Sequence, residues 1–224
     1  MLKAVLFDLD NTLIDFMRMK RESTIAALDA MLTAGLKMDR ERGLEILSKL
    51  YDKHGMEYEW IFQQFLRMMQ GGIDYRLLST AILAYRKKRA SIKPYAGVVL
   101  TLKTLRKRGL MLGIVTDAPR LKAWLRLTEL GIAQYFKVVV THEDASKGKP
   151  SMLPFKQALD ALNVKPAEAL FVGDNPEKDI EGARRVGMRT CWAKYGYDGK
   201  MMRSRADCTV ERIRDVLRVV FKRA

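Results

Sequence analysis

The sequence predicts an α/β fold built on a parallel sheet with helices on both faces and a small helical domain inserted near its start. Three observations predict it. The chain opens on a continuous apolar run, KAVLFD at 3–8, the pattern of a strand buried on both faces. Beyond residue 93, further runs of this kind alternate with helix-length segments, the rhythm of a parallel sheet covered by helices. Between them, residues 15–92 contain nothing strand-like.

Taken in order, the insertion reads as four helices, at about 16–34, 39–53, 57–69 and 74–90. Breaks fall at Ala34-Gly35, His54-Gly55 and Gly71-Gly72, and Pro94 closes the stretch. The sequence therefore divides into 1–14 with 93–224, and 15–92, with hinges near Asp15 and near Ile92–Pro94. A helix at 95–108 ends at Gly109, and LMLGIVT (110–116) is the second strand. A helix at 119–130 ends at Gly131, and FKVVVT (136–141) is the third strand. Pro150 suits the first turn of a helix that runs to about Asn163. ALFVGD (169–174) is the fourth strand, a helix at 177–186 stops at Gly187, and RTCWA (189–193) is the fifth. The tail offers a short strand near 207–210 and a basic amphipathic helix at 211–222.

At 224 residues, 48% hydrophobic and 30% charged, the chain has the composition of a soluble globular protein with a sizeable core. No segment approaches the roughly 18 apolar residues of a membrane span. The first apolar run is too short and too early interrupted by acids for a secretion signal, so a cytoplasmic protein is expected. Cys191 and Cys208 are the two cysteines, which excludes a disulfide framework and a Cys-rich zinc site while leaving a single bridge open. Few Asn and Gln beside abundant Lys, Arg and Glu point to a thermophilic source. The net charge of +15 and the run RKKR at 86–89 raise nucleic-acid binding. No aromatic stacking platform or recognised nucleic-acid motif accompanies them, so RKKR reads as a solvated helix end and no nucleic-acid partner is expected.

In open parallel sheets, ligands gather outside the carboxyl ends of the strands. The first strand delivers Asp8, Asp10 and Thr12 there, and the second delivers Thr116 and Asp117. The loop after the third delivers Lys147, Gly148, Lys149 and Pro150, and the fourth delivers Gly173, Asp174 and Asn175, with Asp179 five positions on. Carboxylates converging from separate strands make a hard-oxygen cation site, for which Mg²⁺ is the natural occupant. A lysine and a threonine hydroxyl beside it supply partners for phosphoryl oxygens. The pattern points to Mg²⁺-dependent phosphoryl transfer with an aspartate as candidate nucleophile.

DLDNT, a strand ending in Thr116, GKP with Lys149, and GDNPEKD with Asp174 and Asp179 resemble, in order, the four motifs of the haloacid dehalogenase (HAD) superfamily. The resemblance covers the whole chain. It implies a Rossmann-like HAD core, with 15–92 as a C1-type helical cap of the phosphoglycolate-phosphatase-like group. It also implies roles: Asp8 as nucleophile forming an aspartyl-phosphate, and Asp10 as general acid and then base. Asp8, the main-chain carbonyl of Asp10, and Asp174 would hold Mg²⁺, with Asp179 as a further ligand or a supporting partner. Thr116 and Lys149 would bind phosphate oxygens and restrain Asp8, while Thr12 would stabilise the turn.

Two departures stand out. Asp117 occupies a position where many relatives carry Asn, so it either faces solvent or contacts the leaving group. Lys147 competes with Lys149, and the GKP context favours Lys149. Met17 and Arg18, just past the hinge, are the cap residues expected to face substrate. Seven methionines fall in the insertion, a count that helix packing explains as well as a substrate surface does. His54 and His142 have no ligand or triad spacing. The expected activity is hydrolysis of a small phosphomonoester (a sugar or triose phosphate, or phosphoglycolate) by a monomer or homodimer. A 2-haloacid dehalogenase shares the fold but needs no acid at position 10 and no metal. A non-catalytic nucleic-acid- or partner-binding protein would be expected to have lost one of the acids or the lysine.

Overall fold

The computed structural model describes residues 1–91, 93–197, 199 and 204–221. Two compact units form: Met1–Asp15 with Lys93–Ala224, and Phe16–Ile92. Ile92, named above as part of a hinge, lies outside the described residues, as does the end of the expected 211–222 helix.

The first unit is a six-stranded parallel sheet. Its strands are β1 (Ala4–Phe7), β2 (Met111–Val115), β3 (Val138–Val140), β4 (Ala169–Gly173), β5 (Arg189–Ala193) and β6 (Cys208–Val210), ordered β3-β2-β1-β4-β5-β6. β1 is central, with Phe7 in register with Ile114 on one side and Val172 on the other. All four of its residues are buried, as the unbroken apolar run requires. The strand order reverses beside β1, so its carboxyl end opens on the crevice where this class of sheet binds ligands.

α8 (Met152–Leu162) and α9 (Glu181–Val186) pack on the face that Ala4, Leu6 and Phe171 present. There Phe155 meets Phe171 edge-on at 4.9 Å. Around the sheet also lie α5 (Val98–Lys107), α6 (Arg120–Glu129), α7 (His142–Ala145) and α10 (Val216–Phe221).

Several elements differ from the sequence reading, each for a local reason. The 95–108 helix starts at Val98, because Tyr95 donates its N–H to Leu13 O at 3.0 Å and Gly97 turns with φ 97°. The 177–186 helix is split: Pro176–Ile180 form a π-turn, in which Glu181 N–H reaches back to Pro176 O, before α9 begins. α7 was not anticipated. It is one turn held by a capping box, with Thr141 and Asp144 exchanging side-chain and main-chain hydrogen bonds, and the T-x-x-D pattern at 141–144 is its signal.

The second unit is a four-helix cluster of α1 (Phe16–Thr33), α2 (Arg40–His54), α3 (Ile61–Gln70) and α4 (Tyr75–Ala90). α3 starts later than expected, since Gly55 (φ 87°) and the turn after it occupy 55–60. Asp39 and Asp74 cap α2 and α4 by accepting main-chain N–H bonds in the first turn. Leu28, Met31, Leu47, Phe65, Leu66 and Ala81 centre its own core. Met19 and Met31 are buried, Met38, Met56 and Met69 pack against that core, and Met68 is exposed. Lys87, Lys88 and Arg89 end α4, where cations complement the helix dipole, and Lys88 pairs with Glu22 at 3.0 Å. Cys191 and Cys208 sit opposite one another in the β5–β6 register, both as free thiols. Among the described residues, no helix is long and apolar enough to cross a membrane.

Candidate active site

Asp8 follows β1 directly, and its N–H donates to Val172 O at 2.9 Å, so the strand pairing continues into the site. Asn11 then adopts the left-handed conformation (φ 58°), which Asn tolerates better than most residues. That turn brings Thr12, fully buried, back beneath the strand end. Its hydroxyl lies 3.4 Å from Asp8 Oδ2 and 3.3 Å from Asp174 Oδ1, between the two carboxylates rather than only in the turn.

Lys149 is the lysine at the centre, while Lys147 is exposed. Lys149 Nζ donates to Asp8 Oδ1 at 2.5 Å, to Asp179 Oδ1 at 2.6 Å and to Val115 O at 3.2 Å. Asp117 neither faces solvent alone nor stands idle: its Oδ1 accepts the main-chain N–H of Lys149 at 2.8 Å, tethering the lysine loop to the end of β2. Thr116 is buried, and its hydroxyl accepts from Ala118 N–H at 3.1 Å.

The π-turn explains the placement of Asp179. Asn175 Oδ1 accepts from the N–H groups of Glu177 and Lys178, and Asn175 N–H donates to Asp179 Oδ2 at 3.0 Å. Both oxygens of Asp179 are thus taken by protein donors, one of them the ammonium of Lys149. Gly173 is required here, because a Cβ would run into the Asp179 carboxylate.

Oxygens of Asp8, Asp174 and Asp179 lie within 4.8 Å of one another, all three residues buried. With all three ionised, three carboxylates against one ammonium would leave two negative charges uncompensated in a buried space. Burial, opposed by Lys149, pushes Asp8 up to about 7, and burial with repulsion from Asp179 and Asp8 pushes Asp174 up to about 9. Burial alone would lower Lys149, but Asp179 and Asp8 outweigh it and hold its pKa above the usual lysine value. A compact all-oxygen donor set with a deficit of two charges fits a small hard divalent cation.

Four contributors carried no signal in the sequence. Trp192 Nε1 donates to Asp174 O at 2.7 Å, Tyr195 Oη donates to Thr12 O at 2.7 Å, and Gly196 lies against the Asn11 carbonyl, with no room for a Cβ. The fourth interaction is an ion pair of Asp10 Oδ2 with Arg126 Nη1 at 2.6 Å. Met17 is half-buried in the helical unit, and Arg18 is exposed there and paired with Glu22 at 2.6 Å. His54 stacks on Tyr58, and His142 is exposed at the start of α7.

The sequence model of the haloacid dehalogenase-like hydrolases matches residues 5–193. The chain is 36% identical over 191 residues to the glyceraldehyde 3-phosphate phosphatase of Methanocaldococcus jannaschii, covering 85% of this chain and 84% of that one. To the protein of the same name from Methanopyrus kandleri it is 37% identical over 227 residues, covering 98% and 97%. Among solved structures, a HAD phosphatase from Thermococcus onnurineus superimposes with a TM-score of 0.71 at 28% identity over 98% of both chains. The chain belongs to the haloacid dehalogenase-like hydrolases. Within them it is a hydrolase of the phosphatase type.

Proposed function

We propose that the protein hydrolyses a small phosphomonoester of the triose- or sugar-phosphate class, with Mg²⁺, through a phosphoryl group carried on Asp8. The observation that carries this reading is the 2.5 Å contact of Lys149 Nζ with Asp8 Oδ1, inside a buried cluster of three carboxyl groups. The names of the two relatives above favour glyceraldehyde 3-phosphate over phosphoglycolate as the first substrate to test.

In this reading Asp8 attacks phosphorus and the ester P–O bond breaks, the leaving oxygen taking a proton from Asp10. Asp10 then accepts a proton from water as that water attacks the phosphoaspartate. The Asp8–phosphorus bond breaks, releasing inorganic phosphate and restoring both carboxyl groups to their starting states. Lys149 orients Asp8 and binds a phosphoryl oxygen, while Thr116 at the end of β2 supplies a further phosphate contact. Asp8, Asp174 and the main-chain carbonyl of Asp10 would hold the cation. Asp179, with its oxygens committed to Lys149 and Asn175, serves to hold the lysine in place. Mg²⁺ bound there supplies the positive charge that keeps Asp8 ionised and offsets the charge of the phosphoryl oxygens. The cytoplasmic setting and the cap role of 15–92 belong to the same reading.

The test is turnover of p-nitrophenyl phosphate and of glyceraldehyde 3-phosphate, with Mg²⁺ and with EDTA, by wild type and Asp8→Asn. Metal-dependent release of phosphate that Asp8→Asn abolishes is expected. Turnover in EDTA, or an active Asp8→Asn variant, would overturn the mechanism, and metal-free halide release from chloroacetate would favour dehalogenation instead.

A further inference from the structure

We propose that Arg126 is a positioning residue that fixes the carboxyl group of Asp10 for its proton transfers, an assignment that rests on the phosphatase reading above. Arg126 lies in the last turn of α6 and is only 6% exposed. On the same helix Leu121, Trp124 and Leu125 are 71%, 44% and 39% exposed. α6 thus buries a guanidinium beside Ala123 and Leu127 while leaving three large apolar side chains outward, a choice that burial of apolar surface alone does not favour. A charged side chain is almost never this buried without a partner, and one partner here is Asp10, Nη1 to Oδ2 at 2.6 Å.

Stability does not account for the choice. A buried ion pair replaced as a whole by apolar side chains of similar volume is often neutral or stabilising, so apolar residues at both 10 and 126 would satisfy the fold. What Arg adds is geometry. Its guanidinium is charged at every accessible pH, and the Nη1 contact anchors one oxygen of the carboxyl group, Oδ2 of Asp10. A proton donor has to lie within hydrogen-bond reach of the leaving oxygen, so a carboxyl group free to swing loses effectiveness. The two acids of the DLDNT stretch are therefore served by separate cations: Asp8 by Lys149 and Asp10 by Arg126, across 141 and 116 residues of sequence.

The readout that separates positioning from mere support is leaving-group dependence. p-Nitrophenolate departs without a proton, whereas the alkoxide of glyceraldehyde 3-phosphate needs one. In Mg²⁺-loaded enzyme, Arg126→Gln should lower kcat/KM, which reports the steps through departure of the leaving group and not the shared hydrolysis of the phosphoaspartate, by on the order of 100-fold on glyceraldehyde 3-phosphate and by less than about tenfold on p-nitrophenyl phosphate. Arg126→Lys, which keeps the charge but not the guanidinium, should fall between and serves if the Gln variant folds poorly. In an Asp10→Asn background, Arg126→Gln should cost no further activity, because the two act as one unit. Equal losses on both esters, no loss, or additive losses in the double variant would overturn the proposal while leaving the phosphatase reading intact. A wild-type protein that turns over neither ester with Mg²⁺ would remove both.

Discussion

The two acids of the DLDNT turn are made tolerable by different partners, and the consequences can be measured residue by residue. Lys149 compensates Asp8 and Asp179 at once, with all three side chains buried. Lys149→Met should abolish turnover and, in metal-free protein near neutral pH, cost about 3–5 kcal/mol of stability, as removal of one partner from a buried ion pair does. Denaturant midpoints in EDTA check this; an unchanged midpoint would show that Asp8 and Asp179 do not depend on the lysine. The metal-free protein should also respond to pH in a set direction. Asp8 and Asp174 are raised to about 7 and about 9 in the folded chain, against an ordinary carboxylate value of about 4 when unfolded. Between those values the folded state holds the more protons, so stability falls as pH rises from about 5 toward 9. Urea midpoints in EDTA should decline across that range, and Mg²⁺ should flatten the decline by binding the ionised pair. A rise with pH in EDTA would contradict the burial of these two acids.

The π-turn at Pro176–Ile180 and the short segment after β5 do work that no single side chain does. The first is capped by Asn175, whose Oδ1 accepts two main-chain N–H bonds and whose own N–H holds Asp179. Asn175→Ala should cost about 1 kcal/mol through loss of the side-chain cap and should weaken Mg²⁺ binding, measured by calorimetry, as the turn that places Asp179 loosens. The segment after β5 buttresses the DLDNT turn from behind: Tyr195 holds Thr12 O, and Gly196 touches the Asn11 carbonyl. A methyl group at 196 has nowhere to go, so Gly196→Ala should destabilise by about 1–3 kcal/mol and lower kcat by displacing Asp10 and Thr12. Thermal melting and p-nitrophenyl phosphate turnover read the two effects, and a fully active, fully stable variant would refute the close approach.

At the level of the whole chain, the four-helix unit leaves and rejoins the sheet unit at adjacent points. Ile14 pairs with Pro94, and Tyr95 N–H donates to Leu13 O at 3.0 Å. Each unit also has a core of its own. Replacing residues 16–92 with a short Gly-Ser linker should therefore leave a folded sheet unit that still binds Mg²⁺. Circular dichroism and calorimetry test this; failure to fold would mean that the helical unit completes the core. The net charge of +15 should produce at most salt-labile retention of DNA or RNA in a gel shift, with none persisting at physiological ionic strength.

What the sequence by itself determined was everything written in short-range pattern. Buried parallel strands show as continuous apolar runs, and their carboxyl ends are the next residues along, so Asp8, Thr116 and Asp174 could be placed at one edge of one sheet before any fold was seen. The resemblance of GKP to the family motif, just before a helix, distinguished Lys149 from its neighbour Lys147. The tertiary structure alone decided the partners. Arg126 reaches Asp10 over 116 residues, and Tyr195 reaches Thr12 over 183. An arginine amid helix residues or a tyrosine after a strand looks locally like a solvated side chain, since nothing within a turn or two records which distant group it will meet. The π-turn was equally hidden, because its five-residue backbone bond has the composition of an ordinary helix start. Burial settled the last point: the carboxylates at the strand ends could be counted from the sequence, but only packing made their charges costly enough to call for the ammonium of Lys149 and the guanidinium of Arg126 beside them.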